Sequence, residues 1–251
     1  MAGPLQILML QGDAEARLCA DAATFLQPAL PHRELQWTAL WAPRADMLSP
    51  GAPPPPASLL GRGILPAQDP RAALARPNAL VILGLLPSVL LPALRHRDGG
   101  AFIAHAGLRA GWTAAQAEAV AAECVEEPPL SPADAAAALE PTIARLQEAG
   151  AAVAVSNAFR HVREPLAHRR PPGPPSLREL VRRTNLEIAH LSHRTGCFVL
   201  DVDRPLAQEG GAALGADCFG GDGRAAELVL DELIGLIFDA LPDEVLPQEE
   251  P

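Results

Sequence analysis

The sequence contains no lysine and no tyrosine. All 20 of its basic residues are arginine. Chemistry that needs a primary side-chain amine is therefore excluded: no Schiff base, no phosphate-loop lysine and no Ser-Lys dyad. The four cysteines, Cys19, Cys124, Cys197 and Cys218, are far apart and form no CxxC pair, which excludes a zinc ribbon. Each sits beside Ala, Phe or Val, a setting that suits buried reduced thiols. No run of 18 apolar residues exists, so no membrane-spanning helix is expected. The first apolar run, Leu5 to Leu10, lacks a basic flank and is followed by Gly12-Asp13, so no secretory leader is expected and a cytoplasmic location follows. Basic residues are also outnumbered: 30 acids against 20 arginines give a net charge of −10. A broad nucleic-acid surface needs the opposite balance to neutralise phosphates.

What remains is a chain of short apolar runs alternating with helical periodicity. Leu5–Leu10, Leu35–Trp41, Ala79–Leu83, Ala151–Val155 and Cys197–Leu200 read as buried strands. Between them, Glu15–Leu26 and Ser88–His96 read as helices. Thr113-x-x-Gln116 is a capping box opening a helix to about Cys124. Ser131-Pro132 places an N-cap before a helical proline, for a helix to Glu148 that stops at Gly150. Ser176-x-x-Glu179 opens another, with Leu177, Leu180, Val181, Thr184, Ile188 and Leu191 on one stripe and Gly196 at its end. A last helix spans about Arg224 to Leu241. Strands alternating with helices predict a single three-layer α/β/α domain over residues 1–241, with a mostly parallel, five-stranded, flavodoxin-like sheet. Pro-rich excursions at 42–77 and 165–175 interrupt it, and residues 242–251 form an acidic tail.

In such sheets ligands bind beyond the carboxyl ends of the strands. Those ends carry Gly12-Asp13-Ala14, Gly84-Leu85-Leu86-Pro87, Ser156-Asn157, Asp201-Val202-Asp203 and, before the last helix, Asp217-Cys218-Phe219-Gly220. The pattern resembles the SGNH (GDSL-like) hydrolases. That family places Gly-Asp-Ser after the first strand, Gly-x-Asn-Asp after the third and Asp-x-x-His before the final helix. The resemblance implies an SGNH-like fold over about residues 5–241, and it also shows departures. The nucleophile position holds Ala14, the base position Gly220, and the oxyanion-donor position Leu86. A methyl cannot attack a carbonyl, glycine cannot take a proton, and leucine cannot donate to a developing oxyanion.

The residual catalytic candidates are Asp217, His105 and Asp13, with His105 as a substitute base. The ligand-binding candidates are Gly12, Asp13, Gly84, Asn157, Arg160, His161 and Asp203. Arg160 is the residue expected to clamp a carboxylate or phosphate, or else to pair with a nearby aspartate. His190 and His193 share a helix face but have no evident third metal ligand, and Asp201-x-Asp203 alone makes a weak cation site, so neither metal nor cofactor is expected. Charge is segregated. Residues 157–194 carry eight arginines and three glutamates, whereas residues 201–251 carry 13 acids and two arginines. The basic segment is expected either to meet an acidic protein partner or to pair with the acidic part of its own chain. The resulting expectation is a catalytically degenerate SGNH-like protein that binds a small-molecule, acyl or glycan ligand or a partner at the sheet edge. Its rival is an active esterase or acyltransferase with a rewired site.

Overall fold

The computed structural model describes residues 5–11, 26, 28, 35–41, 44–54, 56–65, 79–104, 106–158, 176–210 and 223–240. Gly12, Asp13, Ala14, His105, Arg160, His161, Asp217 and Gly220 lie outside the described residues, as do almost all of the helix expected at Glu15–Leu26, the 165–175 loop and the 242–251 tail.

Five strands form one sheet: β1 (Leu5–Gln11), β2 (Leu35–Trp41), β3 (Ala79–Gly84), β7 (Ala152–Ser156) and β8 (Phe198–Leu200). Their order is β2-β1-β3-β7-β8 and every neighbouring pair is parallel. β3 and β7 are short apolar runs without polar alternation, because both of their faces are covered. In β3, Leu80 and Ile82 enter one core, while Ala79, Val81 and Leu83 enter the other. This period of two separates the layers.

On the first face, α7 (Asp203–Gln208) and α8 (Gly223–Ala240) bring Leu206, Val229, Leu233, Leu236 and Ile237 onto the sheet. On the second, α5 (Pro132–Glu148) brings Ala135, Leu139, Ile143 and Leu146, and α6 (Leu177–Thr195) brings Leu180, Ile188 and Leu191. The caps are where the sequence placed them. Ser131 Oγ accepts from the Asp134 amide at 3.1 Å and Ser176 Oγ accepts from the Glu179 amide at 3.2 Å. Gly196 ends α6 at φ +70°, a left-handed conformation that favours glycine.

Three further strands correct the sequence reading. The stretch Ser88–His96 is not one helix: a short α2 (Leu86–Leu90) is followed by β4 (Ala93–His96). With β5 (Ala101–Ile103) and β6 (Cys124–Glu127), β4 forms a separate antiparallel sheet in the order β5-β4-β6. Pro92 breaks the helix, and Asp98-Gly99 closes a hairpin in which the His96 amide donates to the Gly100 carbonyl at 2.7 Å.

This accessory layer also includes α1 (Ala57–Gly61), α3 (Ala106–Ala110) and α4 (Ala114–Glu123), while a 3₁₀ turn (Ala45–Leu48) packs Ala45 and Leu48 into the core of the second face. The α4 capping box is complete, since Thr113 Oγ1 accepts from the Gln116 amide and the Gln116 side chain accepts from the Thr113 amide at 2.7 Å. The layer has its own core, with Leu59, Ile64, Leu65, Leu94, Phe102 and Val120. It departs from the chain after β2 and β3, at the carboxyl edge of the main sheet.

Candidate functional site

The carboxyl edge of β7 and β8 is organised by two asparagines. Asn157 follows β7 directly. Its Nδ2 donates to Asp201 Oδ1 at 2.6 Å, and its Oδ1 accepts from the Val202 and Asp203 amides at 2.8 and 3.0 Å. Asp201 Oδ1 also accepts from the Arg204 amide at 3.1 Å. Together these bonds turn the chain from β8 into α7, satisfying helix-start amides that have no intrahelical partner. Asn185, in the middle of α6, acts similarly on the neighbouring residue. Its Nδ2 donates to the Ala158 carbonyl at 2.7 Å and its Oδ1 accepts from the Ala158 amide at 2.9 Å. One side-chain amide thus replaces a strand partner and fixes α6 against the edge.

Above these residues lies a cleft of about 750 Å3. Asn157, Asn185, Asp201 and Asp203 line it, with Glu179, Arg182, Arg183 and Leu186 from α6 and Arg204, Ala207 and Gln208 from α7. Its volume falls in the range of small-molecule sites, about 300–1,000 Å3. Arg204 contacts Glu232 of α8 through Nη2 and places Nε 3.6 Å from Asp201 Oδ2. Arg183 Nε donates to Glu179 Oε1 at 2.8 Å, and this bond first, with Arg182 adding to it, holds the Glu179 carboxyl below its ordinary range.

Of the residues predicted for the site, the structure brings Asn157, Asp201 and Asp203 together. Gly84 is on the same edge, opposite Ser156 in the β3–β7 register. Asp201 is engaged by Asn157 and Arg204, Asp203 is only 6% exposed, and no metal-type cluster of three ligands occurs among the described residues. His190 and His193 are exposed on α6, where His190 approaches Glu187 at 3.7 Å. At the third motif position Leu86 is 3% exposed and belongs to the core of the first face, so its side chain is packing rather than a donor.

Two polar clusters escaped sequence reasoning. The first is built on His96, whose side chain is fully buried. Its Nδ1 meets the Asp98 amide at 3.2 Å and Asp98 Oδ2 at 3.4 Å, and its Nε2 faces Glu123 Oε2 at 3.2 Å and Ser58 Oγ at 3.4 Å. Serine and carboxylate meet the same ring nitrogen. The trio ties α1 and β4 to α4 through one buried ring. The hydrogen bond from His96, then Arg62, holds the Glu123 carboxyl below its ordinary range. The second cluster joins Arg44, which is 5% exposed, to Asp46 and Glu127 at 2.7 and 2.6 Å. Arg95 reaches both Glu127 and, at 3.8 Å, Asp46. Asp46 first, then Glu127, keeps the Arg44 guanidinium protonated. The Asp98-Gly99 pair marks a turn, but the partners of His96 and Arg95 lie 27–38 residues away in sequence and carry no local signal.

The parallel sheet, its helical layers and a polar carboxyl edge constitute an SGNH-hydrolase-like fold. The chain is similar over 94% of its length to a protein assigned as an SGNH hydrolase from Slackia heliotrinireducens, all of which is covered, with a TM-score of 0.51 and 16% identity. It is similar in the same way to LAE5, an alpha/beta hydrolase from the metagenome of Lake Arreo, with a TM-score of 0.52, 10% identity, and coverage of 94% of this chain and 96% of that one. The acetylxylan esterase Axe2 from Geobacillus stearothermophilus matches with a TM-score of 0.51, 9% identity, and coverage of 94% of this chain and 95% of that one. At these identities the likeness is one of fold. No protein-family model matches the sequence, and no curated protein matches it. Among the described residues no helix is long and apolar enough to cross a membrane.

Proposed function

We propose that the chain is a catalytically degenerate SGNH-like protein that binds a small ligand at the carboxyl edge of a flavodoxin-like sheet. The carrying observation is the cleft of about 750 Å3 over Asn157, Asn185 and Asp201, built at that edge from α6 and α7. The losses read from the sequence support the degenerate half of the proposal. Ala14, Gly220 and Leu86 replace three groups that act as a unit, and removing one member of such a unit already costs most of its rate. The buried position of Leu86 agrees with this, because a side chain spent on the core cannot turn to a substrate.

The rival reading is an esterase or acyltransferase in which His105, Asp13 or Asp217 supplies acid–base chemistry. A panel of short aryl esters and acetylated xylo-oligosaccharides, offered to the full chain, separates the two. The expected result is no hydrolysis above background. Turnover that disappears in Asp217→Asn or His105→Ala overturns the degenerate reading and establishes the enzyme.

A further inference from the structure

We infer that the α6–α7 cleft recognises the oxyanion of its ligand, a carboxylate or a phosphoryl group, through Arg182 and Arg183; this rests on the ligand-binding reading of the same edge. The inference comes from a partner count on the two walls. On the α7 wall the charges satisfy one another. Arg204 lies between Asp201 and Glu232, and Asp201 is further engaged by Asn157 and the Arg204 amide. Asp203 is buried to 6% exposure beneath the surface of the cleft.

On the α6 wall the balance is different, because among the described residues two guanidiniums share the single carboxylate of Glu179. Arg183 uses Nε for it at 2.8 Å, and Arg182 comes no nearer than 3.9 Å. A guanidinium offers five N–H donors in a planar fork, so this wall presents donors in excess of its acceptors. Their side chains remain 69% and 60% exposed, which leaves the forks accessible from the cleft. The floor adds direction. Asn185 spends its two bonds to Ala158 through one oxygen lone pair and one N–H, so an amide hydrogen remains for a ligand. The long axis of such a ligand would run over Leu186, a large apolar side chain that is 54% exposed beside the arginines. An anionic head with a short apolar body fits this arrangement, and a bare cation does not.

The test uses the full chain labelled with 15N and titrated with inorganic phosphate, acetate and hexanoate at low ionic strength. The readouts are the side-chain amide resonances of Asn157 and Asn185. The expected result is saturable shifts, with dissociation constants at least tenfold weaker in the double variant Arg182→Gln with Arg183→Gln. Arg194→Gln serves as the charge control. Arg194 is at the far end of the same helix and pairs with Glu140, so its removal should leave the constants unchanged. Equal weakening by Arg194→Gln, or no saturable shift with any of the three anions, overturns the inference. Methyl hexanoate and xylobiose separate the levels of failure. Shifts with these neutral probes alone would remove the anion assignment and leave the ligand site standing. No shift with any probe would remove both.

Discussion

At the scale of single residues, the polar groups at the sheet edge divide into those that build the site and those that are available to a ligand. Asn157 is a builder. From the sequence it looked like a ligand-binding residue because it follows a buried strand. In the structure its oxygen serves two backbone amides and its nitrogen serves Asp201. Substitution by alanine removes the side-chain acceptor of the Val202 and Asp203 amides and one of the two donors to Asp201 Oδ1, leaving the Arg204 amide on that oxygen and the Leu200 carbonyl near the Val202 amide. An unsatisfied buried polar group costs about 1–3 kcal/mol, and a total loss of that order is expected for Asn157→Ala by urea denaturation. Asn157→Asp should be nearly as harmful at neutral pH, since it places a second carboxylate against Asp201 and removes the donor. Equal stability of the wild type and Asn157→Ala would return the residue to the pool of free ligand groups. The sequence could show that an asparagine ended the strand. It could not show that the β8–α7 turn, 44 residues later, would claim the side chain.

At the scale of elements, the legible parts were those whose signals are local and long. The apolar runs of β1, β2, β3, β7 and β8 and the serine and threonine caps of α4, α5 and α6 fell within a residue or two of their expected places. Gly150 and Gly196, at φ +82° and +70°, ended their helices as read. The accessory strands were not legible, because three or four residues such as Ala93-Leu-Arg-His96 are too few to show a period. Their sheet is defined instead by contacts distant in sequence, including a close approach of the Pro-rich segment to Gly100. A Cβ at Gly100 would lie 2.9 Å from Pro56 Cδ and 3.0 Å from the Pro54 carbonyl oxygen. Neither a proline ring nor a backbone carbonyl can move aside cheaply. Gly100→Ala is therefore expected to destabilise by about 1–3 kcal/mol, the usual cost of overpacking. The loss should be read as a lower thermal midpoint, with weakened protection in β4 and β5. An unchanged midpoint would mean that the Pro53–Pro56 segment is not held against the hairpin.

At the scale of the whole molecule, the charge pairs among the described residues are mostly local to an element or to the accessory layer. Arg182 and Arg183 pair with Glu179, and Arg194 pairs with Glu140. A four-membered ionic cluster of Arg44, Asp46, Arg95 and Glu127 joins the turn after β2 to the accessory sheet. The main sheet is held by apolar layers on both faces, whereas the accessory layer adds charge pairs to a smaller core. The two should therefore respond differently to acid.

Arg95 first, then Arg44, holds the Glu127 carboxyl below its ordinary range, and His96 does the same for Glu123. A carboxylate with a depressed folded-state pKa contributes stability that is present above its unfolded pKa. That contribution is lost as pH falls through the folded value. Protonating Glu127 also leaves the buried Arg44 with Asp46 as its remaining short-range carboxylate partner among the described residues. Acidification from pH 7 to below the carboxylate range is thus expected to loosen the accessory layer before the main sheet. Hydrogen exchange measured at matched intrinsic rates should show protection falling first in residues 93–103 and 124–127, while 80–83 and 153–155 stay protected. Glu127→Gln should bring much of that loss to pH 7 and flatten the dependence below it. Simultaneous loss in both sheets would show that the ionic cluster does not set the order, and that the two layers unfold as one cooperative unit.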